Sequence, residues 1–532
     1  MNRTTLSLIA VATALAAVTG FATLTAPDST GAAVAQTPAL LPVERTSQLC
    51  PAPSMSDIAE TTYTSFTPAG TSGSGTSGSA GLSESVVTLA DTAGNTKDAT
   101  KDAQKDDKSD NKDDKNDAKD AKSDGEKTDS AQDKAFLALK EPGKPVSAEA
   151  SGAEAPALVG SADGRLAPGW TTQQTTTVSV GGARGLLGMT CAGPDTDFWF
   201  PGVSTEASRQ DYVHLTNPDE TAAVADIEVY GKDGVLKSEV GEGIPVPGRS
   251  SVPVLLSTLT GETAPDATVH VTTRTGRVGA VVRVADEKAG SDWLAPSGDP
   301  AGRLVLPGIP ADATDVRLVA FATGEDDADL KVQLAGADGT ITPAGNETLH
   351  VKSRMTASVD LADVTKGQAG SLVLSPVSSG RAAPVVAALR VVRGKGANQE
   401  IAFIPATAPI ASRATAADNR AKGSTLSLTA PGAAAKVKVT SSAGTGGGEP
   451  AVQTYTVKAG TTLAVTPPAP KGLKGSYAVT VEPEAGGGPV HAARTLALPE
   501  DGVPMFTVQT LPDDRGMVSV PKAREDLSIL GD

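Results

Sequence analysis

A short apolar run ending in proline returns along this chain at nearly even intervals. It reads Phe198-Trp199-Phe200-Pro201-Gly202, Leu304-Val305-Leu306-Pro307-Gly308, Ala402-Phe403-Ile404-Pro405 and Leu496-Ala497-Leu498-Pro499, with the prolines 106, 98 and 94 residues apart. The same order of segments recurs within each period. First comes a strand (Asp211 to Leu215; Val316 to Ala320; Ser424 to Leu428), then an Ala-flanked alternating strand running into a turn (Ala225 to Gly234; Ala328 to Gly339; Ala435 to Gly446). A strand after a polar turn follows (Ser250 to Leu256; Met355 to Leu361; Thr461 to Thr466), and a hairpin closes the unit (Val269 to Val284; Ser371 to Val392; Tyr477 to Leu496). Such a repeat constrains the fold strongly, because each copy must bury its own apolar faces within about a hundred residues.

The segments alternate with period two and favour β-branched residues, as in Thr175 to Val180, Asp226 to Tyr230, Thr268 to Thr272 and Gly279 to Val284, which predicts half-buried strands. Turn signals such as Lys232-Asp233-Gly234, Pro247-Gly248 and Ala337-Asp338-Gly339 separate them. The expected fold class is all-β: tandem immunoglobulin-like or fibronectin-like antiparallel β-sandwich modules strung end to end. Sixteen aromatic residues in 532 leave the cores to Val, Leu, Ile and Ala. Proline cannot donate to a strand ladder, so each recurring proline is expected to end a strand and mark a boundary. The expected modules are 43–200, 201–303, 304–401 and 402–499, with a C-terminal extension over 500–532.

The first module is the irregular one. Its pieces are Leu49-Cys50-Pro51, Thr61 to Phe66, Ser85 to Ala90, Thr175 to Val180 and Leu186 to Cys191. Between them lie the Gly/Ser/Thr tract Gly70 to Gly81 and the run Lys97 to Lys134, which holds 10 Lys and 13 acidic residues and nothing more apolar than Ala. Such a run cannot offset an ordering cost of about 1–2 kcal/mol per residue. A disordered insertion is therefore expected over 93–160, and an irregular stalk is the alternative to a fourth module.

Arg3 and the apolar run Leu6 to Val18 have the layout of a secretory signal peptide, with Ala33-Val34-Ala35 as the cleavage site and Leu24-Thr25-Ala26 as an earlier candidate. Residues 1–35 are expected to be a signal peptide or, uncleaved, a membrane anchor, since Leu6 to Ala26 is about long enough to span a bilayer. The expected location is secreted or on the outer face of the cell membrane. Outside the cytoplasm the only cysteines, Cys50 and Cys191, favour a disulfide, with two buried thiols as the alternative.

Catalytic signatures are absent from the sequence: no G-x-S-x-G, H-E-x-x-H, C-x-x-C, phosphate-binding loop or dinucleotide fingerprint occurs. No cofactor, no resident metal and no catalytic residue are expected. A net charge of −16 removes the basic footprint of a nucleic-acid binder. His214 and His270 fall on strands of one repeat and are expected to face solvent, with a paired role as the alternative, while His350 and His491 have no partner suggesting a triad. Glu325 to Asp329 and Asp195-Thr196-Asp197 could supply calcium ligands but lack an EF-hand spacing, so solvated loop tips are the plainer reading. Asn346-Glu347-Thr348 matches a glycosylation sequon. Trp199 and Trp293 are the binding candidates, each near a module edge where an indole could stack on a sugar or seal the junction between neighbouring sandwiches.

Several of these residues together carry a resemblance. Arg184-Gly185-Leu186 leading to Cys191, Trp199-Phe200-Pro201-Gly202, Leu215-Thr216-Asn217-Pro218, Gly276-Arg277-Val278 and Asp292-Trp293-Leu294 resemble an uncharacterised family of secreted actinobacterial proteins, a domain of unknown function, over roughly Cys50 to Val392. The resemblance implies an exported, envelope-associated protein and brings no active site. The expected function is a non-enzymatic envelope scaffold or interaction protein, with an envelope protein or polysaccharide as partner and the membrane met only through an N-terminal anchor. The alternatives are a glycan-binding or carbohydrate-processing accessory protein, which calls for exposed aromatic rows, and a hydrolase with converging carboxylates.

Overall fold

The computed structural model describes residues 38–70, 77–87, 135–238 and 240–521. Pro42 to Met517 forms one compact unit. The strands Ala39–Pro42 and Met517–Val520 form a separate two-stranded sheet. The N-terminal segment with its leader-like run and the insertion core Lys97 to Lys134 lie outside the described residues.

The compact unit is all-β and repeats one two-sheet pattern four times. In the second copy, Asp197–Val203, Ala267–Thr275 and Ala223–Gly231 form one sheet, and Ser250–Leu255, Tyr212–Thr216, Gly279–Asp286 and Gly290–Leu294 form the other. The third copy matches it strand for strand: Leu304–Ile309, Gly370–Pro376 and Ala328–Ala335 face Thr356–Asp360, Ala313–Ala322, Val385–Arg393 and Glu400–Pro405. In the fourth, Ala414–Asn419, Tyr477–Pro483 and Ala435–Gly444 face Thr461–Val465, Ser424–Ala430, His491–Ala497 and Phe506–Thr510. The first copy obeys the same rule, with Arg45–Cys50, Ala157–Asp163 and Ala80–Val87 opposite Val146–Ser151, Glu60–Phe66, Thr171–Val178 and Gly185–Thr190. The irregular N-terminal part is thus a sandwich of the same kind. Cys50, ending its opening strand, is disulfide-bonded to Cys191, just past its closing strand.

Three expectations need correction. The insertion is shorter than 93–160, because Leu137–Leu139, Val146–Ser151 and Ala157–Asp163 are strands, with Leu137, Leu139 and Leu158 buried in the first core. Pro201 and Pro307 do not end strands. Each lies inside an opening strand beside a bulge, where Gly202 (φ 102°) and Gly308 (φ 92°) adopt conformations that suit glycine. Ala402 to Pro405, by contrast, belongs to the closing strand of the third copy, paired with Val385–Arg393, so a boundary at 402 falls within that strand.

The third correction concerns how the copies are joined. They form a closed ring. The four closing strands meet at its centre: Gly185–Thr190 packs on Gly290–Leu294, that on Glu400–Pro405, that on Phe506–Thr510, and the last returns to the first. Outside them, the opening strands of the second, third and fourth copies each lie on the next copy. Asp197–Val203 packs on Ala313–Ala322 and Val385–Arg393, Leu304–Ile309 on Ser424–Ala430 and His491–Ala497, and Ala414–Asn419 on Glu60–Phe66 and Thr171–Val178. Ser250–Leu255 also pairs in parallel with Ala80–Val87, joining the first and second copies into one continuous sheet. The cores interlock accordingly. That of the second copy includes Ala388, Val392, Ile401 and Phe403 from the third, and that of the third includes Ala493, Phe506 and Val508 from the fourth.

Candidate functional site

The chemistry-bearing side chains collect at the junctions of the ring. Between the second and third copies, Trp199 stands on an opening strand and lies flat on His270, with ring centroids 3.6 Å apart. Its surroundings also include Phe321 at 5.2 Å and Tyr230 at 6.4 Å. His270 is held by Asp197 (Nε2 to Oδ2, 3.0 Å) and Glu228 (Nδ1 to Oε2, 3.5 Å). Tyr230 donates its hydroxyl to Glu228 at 2.9 Å and accepts from Arg354 of the third copy at 3.1 Å. Burial, reinforced by Glu228, pushes the Tyr230 phenol up to about 12.

At the centre of the ring sit two buried carboxyls. Asp292 accepts from the backbone N–H groups of Gly188 (3.0 Å) and Trp293 (2.8 Å) and from the Thr507 hydroxyl. Glu400 accepts the Leu186 N–H at 2.9 Å and lies 3.8 Å from the Arg184 guanidinium. Burial raises both carboxyls, Asp292 well above the usual range and Glu400 to about 8, against the lowering effect of those N–H donors. Apart from the Trp293 N–H, each of these bonds crosses between copies, since Gly188 and Leu186 belong to the first, Asp292 to the second, Glu400 to the third and Thr507 to the fourth.

The join that closes the ring, fourth copy to first, adds a buried polar set to apolar contacts such as Phe66 with Ala417 and Ala478. The carboxylate of Asp418 accepts from Thr175 at 2.8 Å, and buried Arg494 donates to Gln173 Oε1 (2.9 Å) and to the Asp418 carbonyl (2.6 Å). Arg413 pairs with Asp514 at 2.5 Å and donates to the Pro168 carbonyl at 3.2 Å. His491, held down to about 4 by burial, faces the Thr407 carbonyl.

The join between the first and second copies is built around Trp293, which is 2% exposed and packs with Ala59, Val178, Leu187, Met189 and Val281. Both tryptophan candidates therefore sit where they seal a junction. His214, expected at the surface, is buried edge-on against Trp293 with centroids 5.2 Å apart, and burial together with Arg283 lowers it to about 3. Its outward strand position would be wet in an isolated sandwich, but the neighbouring copy covers it. His214 and His270 lie in opposite sheets and are not brought together.

The remaining candidates stay at the surface. His350 faces Asp329 (2.8 Å) and Asp327 (3.5 Å), and Asn346 donates to the Asp360 carbonyl. Among the described residues no three or more His, Cys, Asp or Glu side chains are grouped to hold a metal ion. An open groove of about 550 Å³ is lined by Arg45, Thr46, Ser47, Ser161, Gly193, Pro194 and Arg277, and Arg277 is tied to Asp219. What sequence reasoning missed is the interlocking polar set Arg184, Asp292, Glu400, Asp418 and Arg494. Its one legible trace is ionisable residues inside otherwise apolar strands, Arg184 excepted, which stands just before its strand.

Neither the curated proteins nor the solved structures include a match to the chain. A profile described as a family of unknown function, DUF5719, matches residues 146–468, from within the first copy to within the fourth. That span exceeds half of the chain, and the chain belongs to this family.

Proposed function

We propose that this protein is an exported, non-enzymatic scaffold of the cell envelope that presents a rigid ring of β-sandwiches to a protein partner. The observation that carries the reading is where the chemistry lies: the ionisable clusters join one copy to the next and are spent on holding the ring. The Cys50–Cys191 disulfide suits an oxidising compartment. The leader-like segment Leu6 to Val18 supplies the route of export, and among the described residues no helix is long and apolar enough to cross a membrane. A rigid ring fixes the spacing of its outer loops, which suits simultaneous contact with a partner more than turnover of a substrate. The exposed large apolar residues are aliphatic, such as Met55, Ile58, Val180 and Val452, which favours a protein partner over a sugar stacked on indoles.

The test is affinity capture with the tagged full-length protein from envelope extracts, run beside a cell-wall polysaccharide array. Reproducible enrichment of one envelope protein supports the scaffold. Retention on a polysaccharide, abolished by Arg45→Ala or Arg277→Ala in the groove, replaces it with the glycan-binding alternative.

A further inference from the structure

The junction between the first and second copies holds hydrogen-bonding groups that no protein atom satisfies. Register places them on one face: Tyr212 lies opposite Arg283, Arg283 opposite Trp293, His214 opposite Val281, and Ala285 opposite Ser291. Arg283 is 4% exposed, with its guanidinium over the Tyr212 ring at 5.2 Å and no carboxylate paired with it among the described residues. Its Nε, both ring nitrogens of His214, the Trp293 indole nitrogen and the Ser291 hydroxyl are buried without a hydrogen-bond partner. The wall around Trp293 is apolar, made by Ala59, Val178, Leu187, Met189 and Val281.

An unpaired ion inside a protein is costly, and arginine cannot escape the cost by losing its proton. Lysine or histidine in this position could become neutral. Arg283, almost wholly covered and facing no carboxylate among the described residues, is placed to hold an anion. We propose that this junction is an anion site holding one small monovalent anion of halide size against Arg283, with the indole N–H of Trp293 and the imidazole of His214 as further donors. The apolar wall suits a weakly hydrated halide, whereas a doubly charged oxyanion would outweigh the single cation and needs more donors than this face provides. Burial and the Arg283 charge keep His214 neutral, which leaves it one ring N–H to give. Halide binding would stabilise the join between the copies by mass action.

The full-length protein, crystallised and soaked in sodium bromide, tests this directly. An anomalous bromine peak in contact with the Arg283 guanidinium supports the site, and an ordered water or closed packing at that position overturns it. Thermal unfolding provides the second readout. In sodium bromide, against sodium gluconate at equal ionic strength, a saturable rise of ~2–4 °C is expected that Arg283→Met abolishes. The same rise in Arg283→Met would show a general salt effect and overturn the site. If Arg283→Met does not fold, Trp293→Phe removes one donor and keeps the ring, and the halide midpoint is expected to move to higher concentration. An unchanged midpoint counts against the proposal.

Discussion

Glu400 shows what a single side chain does at the centre of this ring. Burial raises its carboxyl from an ordinary 4.5 to about 8, so the folded protein keeps a proton that the unfolded chain has released. That contribution is complete below about pH 4.5 and is lost as pH climbs to 8. The buried histidines act the other way. His214 and His491 fall to about 3 and 4, so their contribution is full above pH 6.5 and lost in acid. Between pH 6.5 and 8 Glu400 acts unopposed by them and in the same direction as Asp292, which burial also raises, so stability is expected to fall by at least about 1.4 kcal/mol per pH unit. Urea melts across that window should show the slope, and Glu400→Gln, which still accepts the Leu186 N–H, should make it shallower; an equal slope in the variant contradicts the assignment. Phe403 carries the apolar counterpart. It leaves the third copy and enters the core of the second, so Phe403→Ala is expected to cost about 3–5 kcal/mol. None of this was legible in the residues, because burial of Glu400, His214 and Arg494 comes from the neighbouring copy and not from their own strands.

At the scale of elements the sequence was far more informative. Period-two alternation located strands wherever one face is wet, as in Ala328–Ala335, where Leu330, Val332 and Leu334 point inward and Asp329, Lys331 and Gln333 outward. It said less about strands covered on both faces. Glu400–Pro405 and Gly290–Leu294 are buried throughout, and that continuity is the trace of a neighbour packed on the outer side. The repeating segments fell on matching strands of the copies, whereas the prolines misled, since two mark bulges in opening strands and a third ends a closing strand. The bulge matters for packing. A Cβ on Gly308 would stand 2.8 Å from Ala493 of the fourth copy, at a φ that L residues rarely adopt. Gly308→Ala is therefore expected to destabilise by roughly 1–3 kcal/mol in chemical denaturation. Gly188 has the same role at the centre, where a Cβ would run into Thr507 and Gln509. The Cys50–Cys191 link spans 141 residues around an interrupted chain, and Cys50→Ser with Cys191→Ser is expected to cost about 2–5 kcal/mol, read as a lower urea midpoint.

The whole molecule was the least legible scale, because a tandem repeat looks the same in sequence whether its copies run in a line or close on themselves. Closure depends on the fourth copy meeting the first, through Asp418 with Thr175, Arg494 with Gln173, and Ser179, which donates to Glu500 at 3.1 Å. Shared cores also imply that the copies do not unfold one at a time, so calorimetry of the intact chain is expected to show the second, third and fourth copies melting together. Separate transitions for those copies would count against interlocking. Closure itself is tested most directly by a distance between the first and fourth copies. Spin labels at the exposed positions Val180 and Asp501 flank the Ser179–Glu500 bond, and pulsed dipolar spectroscopy is expected to give a single short separation. A broad separation on the order of 100 Å, the span of intervening hundred-residue modules each with a radius of gyration of about 13 Å, would mean that the copies are strung in a line.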